Sequence, residues 1–297
     1  MLKFIYMGRQ MGTSVSLFFV IVAFSLFFAG CKTVPQFKQD LSSVIIDSGD
    51  IVFTFNLDKD RRVIEHVLST RSDSVDYKRI LERTDRIILA VKADGTFTAA
   101  AEGNYPYIAS NWMLCSEKEW VRHKDSYVWW ENRNTGESVS VPVKNFALYS
   151  DKNLDKELKR LKNNDFASLP YGPAGGKKEC SFSVNSINPK VNAASLLGLD
   201  GVEARIEDMN LDLYYDEESS GELLLYRMGG YITFADEKNA AAFFSAFKIG
   251  FLRLARKISQ EAVKDLIKGK RFSLEGRRII FDGVLINIPD LLKDGAE

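Results

Sequence analysis

Apolar and polar positions change rhythm several times along the chain. Val15 to Phe28 is apolar apart from Ser16 and Ser25. Ile51-Val52-Phe53-Thr54-Phe55-Asn56 is a β-rich run that reads as a buried strand. After Asp58, Val63, Ile64, Val67 and Leu68 recur at helical spacing, and Asp76 to Thr84 reads as a second helical segment. Arg86 to Lys92 and Thr96 to Ala100 flank Asp94-Gly95 as a hairpin. Tyr127 to Trp130 and Ser138 to Val141 flank Asn134-Thr135-Gly136 as another. Phe146 to Tyr149 adds a strand, and Asp151 is placed to cap a short helix bearing Leu154, Leu158 and Leu161.

Leu169-Pro170-Tyr171-Gly172-Pro173-Ala174-Gly175-Gly176 has the composition of a linker. Beyond it the plan restarts. Cys180 to Asn185 alternates as a strand, and Leu196 and Leu197 lie in a helical stretch. Met209 to Tyr215, Leu223 to Tyr226 and Tyr231 to Phe234 read as a three-stranded meander. A long helix from Asp236 to Lys270 follows, then a hairpin of Arg271 to Leu274 against Arg277 to Phe281, turning on Glu275-Gly276. The expected fold class is α/β, of the α+β kind: two related mixed sheet-and-helix units, which suggest an internal duplication. The expected divisions are a signal peptide over 1–30, a lipidated tether over 31–48, a first unit over 49–168 and a second over 177–297.

The leader has the form of an export signal. Lys3 and Arg9 precede the apolar run, no acid occurs before Asp40, and Ala29-Gly30-Cys31 closes the segment. Small residues before the cut suit a peptidase cleft, and the Cys31 thiol would then take a diacylglycerol. Phe28 stands where such signals usually carry Leu. As an uncleaved span the run is short of the roughly 20 residues a bilayer requires. Lys32 follows the cysteine where Asp would signal inner-membrane retention, which leans the expected location towards the outer membrane. With Cys31 acylated, Cys115 and Cys180 are left as a disulfide pair or as two separate buried thiols.

Charge excludes one class of partner. After Gly30 the chain holds 38 basic against 40 acidic residues, without the basic excess of a nucleic-acid binder. Catalytic chemistry finds no motif. There is no Gly-x-Ser-x-Gly elbow, phosphate-cradling loop or dinucleotide fingerprint, so no cofactor is expected. The only histidines, His66 and His123, lack neighbours at metal-ligand spacing. Asp212, Asp216, Glu217, Glu218 and Glu222 surround a hairpin turn and read as a solvated acidic turn rather than a calcium loop. Trp120, Tyr127, Trp129 and Trp130 could make a stacking face. Neighbours in a strand point to opposite sides, however, so at least one of Trp129 and Trp130 belongs to the core.

The helix after Asp236 carries the most information. Ala240, Phe243, Phe244, Phe247, Phe251, Leu254, Ala255, Ile258 and Ala262 fall on one stripe at 3.6-residue periodicity. Arg253, Lys257 and Lys264 lie opposite, with Arg256 nearby, and Ile249 and Leu252 fall outside the stripe. Charge also switches along the chain. Residues 200–237 hold eleven acids against Arg205 and Arg227, whereas 238–278 hold eleven bases against Glu261, Asp265 and Glu275. A Phe-rich face backed by Lys and Arg suits a helix lying in a membrane interface. Phe243, Phe244, Phe247, Phe251, Leu254 and Ile258 would then touch lipid, and Arg253, Arg256, Lys257 and Lys264 the headgroups. The same stripe serves equally to cover a sheet of its own unit, the usual place of an amphipathic helix in a mixed fold.

Cys31, two α/β units and the segment Phe243-Phe244-Ser245-Ala246-Phe247-Lys248-Ile249-Gly250-Phe251-Leu252 together resemble the outer-membrane-associated lipoprotein family of treponemes. The resemblance implies a protein held at the periplasmic leaflet that integrates amphipathic helices into the membrane. It also implies a non-enzymatic role that alters permeability or handles lipid, with membrane lipid as partner. The alternative expectation is a tethered soluble module that contacts an envelope protein through a sheet edge or the Trp129 and Trp130 region.

Overall fold

The structure, a computed structural model, describes residues 41–62, 64–65, 81–105, 118–165, 180–189, 205–216, 224–269 and 271–287. The leader, Cys31, His66, the 76–80 stretch, Cys115, the 169–176 linker, Leu196, Leu197 and the acidic turn 217–222 lie outside them. The described chain gathers into two compact units. One holds 52–165 with 41–47, and the other holds 180–287 with 48–51.

The first unit is a sheet of β1 (Ile51–Asn56), β2 (Thr84–Val91), β3 (Phe97–Gly103), β4 (Trp120–Lys124), β5 (Val128–Asn132), β6 (Ser138–Val143) and β7 (Phe146–Ser150). Its strands lie in the order β1-β2-β3-β7-β6-β5-β4. Both expected hairpins form: Val91 pairs with Phe97 across the Asp94-Gly95 turn, and Trp130 pairs with Val139. β4 was not legible, because Trp120-Val121-Arg122-His123-Lys124 mixes charge with apolar positions in the way of an edge strand. One face of this sheet is covered by α1 (Asp155–Asn163) and a 3-10 turn, Leu41–Ile45. Val44, Ile45 and Ile46 bury with Ile88, Trp129, Leu148, Leu154, Leu158 and Leu161 in one cluster. Residues 41–47, expected to belong to the tether, thus contribute to the core.

The start of α1 differs from expectation. Asp151 does not cap it; its carboxylate accepts the backbone N–H of Phe97 at 3.1 Å. Leu154 holds the cap position without a side-chain bond, and Asn153 Oδ1 accepts the N–H of Asp155 at 2.5 Å. Asn164, left-handed at φ 54°, ends the helix.

The second unit orders its strands β11-β12-β10-β9-β8. They are β8 (Phe182–Ile187), β9 (Ile206–Tyr215), β10 (Leu225–Phe234), β11 (Phe272–Glu275) and β12 (Arg278–Asn287). Two of the expected meander strands are one: β10 runs unbroken from Leu225 to Phe234. Gly229-Gly230, which invites a turn reading, instead carries a register shift at Met228/Gly229, where Gly283 of β12 is the extra residue. Gly230 has φ 119°, and a Cβ there would stand 2.0 Å from the carbonyl oxygen of Asn210. The position therefore admits only glycine.

Candidate functional site

The site is built on two helices that cover the β10–β12 face of the second unit. α2 spans Glu237–Ile258, and α3 spans Gln260–Ile267. Asp236 caps α2 as expected, accepting the N–H of Asn239 at 2.7 Å. The single long helix expected to Lys270 is interrupted at Ser259, which is extended at φ −163°, ψ 160°. Its hydroxyl accepts the N–H of Ala262 at 3.1 Å and so starts α3 as a new helix. Ser in mid-pattern was the available signal, since a serine hydroxyl competes for backbone donors.

Register explains why the sheet receives aromatic rings. Phe272 pairs with Phe281, Phe281 with Gly230, and Ile279 with Ile232, so these side chains share the face beneath α2. Phe243, 2% exposed, meets Phe234 with ring centroids 5.0 Å apart. Phe244 stacks on Phe272 at 4.6 Å, Phe247 meets Phe281 edge-on at 6.2 Å, and Phe251 meets Phe272 and Phe281 at 5.6 and 6.0 Å. Ala240, Leu254 and Ala255 are also buried, while Phe244, Phe247, Phe251 and Ile258 are half-buried. The sheet-covering alternative describes this arrangement. In this conformation the residues expected to touch lipid face their own unit, and Phe243 and Leu254 are closed to any lipid unless α2 leaves the sheet.

The opposite side of the helices has its own character. Ile249 and Ile267 are 64% and 60% exposed, two of the three large hydrophobic side chains most open to solvent among the described residues. Arg253, Arg256, Lys257 and Lys264, the expected headgroup contacts, are all exposed. Ala242, Ala246 and Gly250 keep the surface around Ile249 low. Lys248 folds back with Nζ 5.9 Å from the Phe244 ring centre. Between α3 and the sheet, a cavity of about 270 Å³ is lined by Ser259, Ala262, Asp265 and Leu266 on one side and by Arg227, Arg271, Val284 and Leu285 on the other. The charges of Asp265 and Arg271 approach to 3.9 Å. No described helix is long and apolar enough to cross a membrane.

The remaining candidates separate. Trp120, Trp129 and Trp130 are buried, which removes the stacking face, and Tyr127 is half-buried against the core. His123 stacks on Trp129 at 3.9 Å and pairs with Glu131 at 3.0 Å. Asp212 and Asp216 are buried rather than solvated, and Asp216 pairs with Arg227 at 3.0 Å. Cys180 is buried, and its expected partner, Cys115, lies outside the described residues.

Comparison with known proteins agrees with the resemblance. Residues 38–174 match the family described as outer membrane-associated lipoprotein TP0453. A curated relative, outer membrane protein TP0453 of Treponema pallidum (strain Nichols), is 25% identical over 148 residues. That alignment covers 48% of this chain and 50% of the relative, so it spans half of the relative's length. Two crystal forms of TP0453 share the fold with TM-scores of 0.60 and 0.59 at 18% and 17% identity. Each covers 86% of this chain, and 97% and 96% respectively of the solved chain. The family match lies on the first unit, whereas the helices described above belong to the second, where the fold extends the likeness.

Proposed function

We propose that this chain is a bacterial outer-membrane lipoprotein, anchored at the periplasmic leaflet through acylated Cys31, that binds the bilayer through α2 and α3. The reading assigns it no enzymatic step. One observation carries it: the helix pair has an apolar aromatic inner face and an exposed outer face with Ile249 and Ile267 among Arg253, Arg256, Lys257 and Lys264. Lys and Arg near an anionic lipid surface contribute about 1 kcal/mol each. First contact therefore needs no rearrangement. Deeper insertion would turn the Phe face outward with Ser259 as the pivot, since Ser259 already interrupts the helical hydrogen bonding. Lipid burial of Phe243, Phe247 and Phe251 would offset the packing lost from the sheet, each ring being worth roughly 1.5–3 kcal/mol. A membrane that admits such a helix becomes more permeable, or gives up lipid to the cleft the helix leaves.

A second reading, a tethered module for an envelope protein, draws on the burial of the Phe face within its own unit. Binding of the leaderless Cys31→Ser chain to anionic and neutral vesicles separates the two. The membrane reading expects binding to anionic vesicles that is lost with Arg253→Glu and Arg256→Glu. Absence of binding by the Cys31→Ser chain with its arginines intact would favour the tethered module.

A further inference from the structure

The bilayer contact through Ile249 and Ile267 makes no use of the cavity between α3 and the sheet. At about 270 Å³ it falls just under the roughly 300–1,000 Å³ of drug-sized ligand sites, so its size suits a small molecule. Its floor is apolar, with Leu266 and Val284 both buried. Its walls carry charge of both signs: Asp265 comes from α3, and Arg227 and Arg271 stand on the other side. Arg227 also pairs with the buried carboxylate of Asp216 at 3.0 Å. Two guanidinia thus face two carboxylates, and the cavity has no excess of either sign to draw a simple anion or cation.

These charges are balanced but not closed on one another. Arg271 Nε stands 3.9 Å from the Asp265 carboxylate, beyond hydrogen-bond reach. Its Nη1 donates only a long bond, 3.5 Å, to the carbonyl oxygen of Asp282. Gly283 leaves the guanidinium its room: the residue is left-handed at φ 71°, and a Cβ there would stand 3.4 Å from Nη1. The Arg271 and Asp265 side chains are 41% and 38% exposed, so parting them costs little. Ser259, at the joint of α2 and α3, accepts the N–H of Ala262 at 3.1 Å, and its own O–H hydrogen can donate into the cavity. A molecule with an anionic and a cationic end can enter between Arg271 and Asp265 and leave neither charge unpaired. The guanidinium fork matches phosphate oxygens in two-point contact, and a carboxylate accepts from an ammonium group.

We propose that this cavity binds a phosphoethanolamine-type zwitterion, its phosphate on Arg271 and the Ser259 hydroxyl, beside Arg227, and its ammonium on Asp265. Free phosphoethanolamine and a phosphatidylethanolamine headgroup share this chemistry. The headgroup as source rests on the membrane reading, whereas the cavity site does not. A ligand that touches α3 and the sheet at once binds the seated helix and so favours it. The test is calorimetric titration and thermal unfolding of the leaderless Cys31→Ser chain with O-phosphoethanolamine, glycerol 3-phosphate and ethanolamine. O-phosphoethanolamine is expected to bind and to raise the melting temperature. The other two, each lacking one charge, should bind at least about ten-fold more weakly. Arg271→Gln should weaken O-phosphoethanolamine by a similar factor. Asp265→Asn should abolish the preference for it over glycerol 3-phosphate, a change that a folding defect would not produce. Equal binding of the three molecules, or binding that neither substitution alters, overturns the site. Competition by O-phosphoethanolamine for phosphatidylethanolamine vesicles identifies the lipid as the source, and titration without such competition identifies the free zwitterion. A chain that binds vesicles but none of the three molecules overturns the cavity site and leaves the membrane reading standing. A chain that binds O-phosphoethanolamine but no vesicles upholds the site and overturns the membrane reading.

Discussion

The ring of Phe244 lies 4.6 Å from that of Phe272, with the two planes only 14° apart. Through Phe272, which also meets Phe251 and Phe281, this pair ties the first turns of α2 to the short edge strand β11. Aromatic pairs of this kind add about 0.5–1.5 kcal/mol beyond their buried area. The helix is therefore held by many moderate contacts, and the free energy of lifting it is spread along its length.

Truncating these rings should separate by burial. Phe243→Ala removes a ring that is almost fully enclosed and should cost about 3–5 kcal/mol. Phe251→Ala, at a half-buried position, should cost less. Urea unfolding of the two variants measures the difference, and equal losses would show that burial does not set the helix's hold on the sheet.

The ion network at the entry to the first unit makes an asymmetric prediction. Lys92 meets the buried carboxylate of Glu157 at 2.6 Å, with Glu157 only 3% exposed. Lys92→Met leaves that charge enclosed without its partner and should cost about 3–5 kcal/mol. Lys156→Ala removes an exposed partner of Asp47 and should cost under about 1 kcal/mol. Thermal unfolding of both variants at equal ionic strength provides the check.

Asp151 gives the stability a distinct pH dependence. Burial raises its carboxyl to about 6, against the N–H of Phe97 and the charge of Lys152, which lower it. A carboxyl whose folded value lies above its unfolded one binds more protons in the folded state. Its contribution is therefore full at low pH and is lost as pH rises from about 4 through 6. Asp151→Asn keeps an acceptor for Phe97 and should flatten this part of the profile and raise the melting temperature at pH 7. A variant profile parallel to that of the unchanged protein between pH 4 and 7 would contradict the assignment.

Ser259 is the joint between the helices. Ser259→Ala removes the acceptor for Ala262 N–H, which should cost about 1 kcal/mol. It should also favour continuous helix from α2 into α3, read as higher helicity by circular dichroism in detergent micelles.

Much of the fold could be read from periodicity, and the failures have physical causes. The alternation in Ile51–Asn56 and the Asp94-Gly95 turn gave strands and a hairpin directly, because side-chain period and turn chemistry agreed. The Phe stripe gave α2 and the identity of its apolar face. It could not say which surface that face meets, since lipid and a sheet of Phe234, Phe272 and Phe281 offer the same chemistry. The expected meander divides β10 between Tyr226 and Tyr231, and the approach of the Asn210 carbonyl shows that Gly230 serves close strand packing inside one strand. Asp151 looked like a helix cap until its carboxylate was seen on Phe97, 54 positions away in sequence. The ion pairs of Asp47 with Lys156 and Arg160 escape the sequence for the same reason, since the partners are distant in the chain.

The most direct test places a fluorophore at Ile249, on the outer face of α2, in the Cys31→Ser chain bound to phosphatidylglycerol vesicles with brominated acyl chains. The account predicts strong quenching at Ile249, abolished by Arg253→Glu with Arg256→Glu. A chain that binds these vesicles while a fluorophore at Ile249 stays unquenched would contradict it.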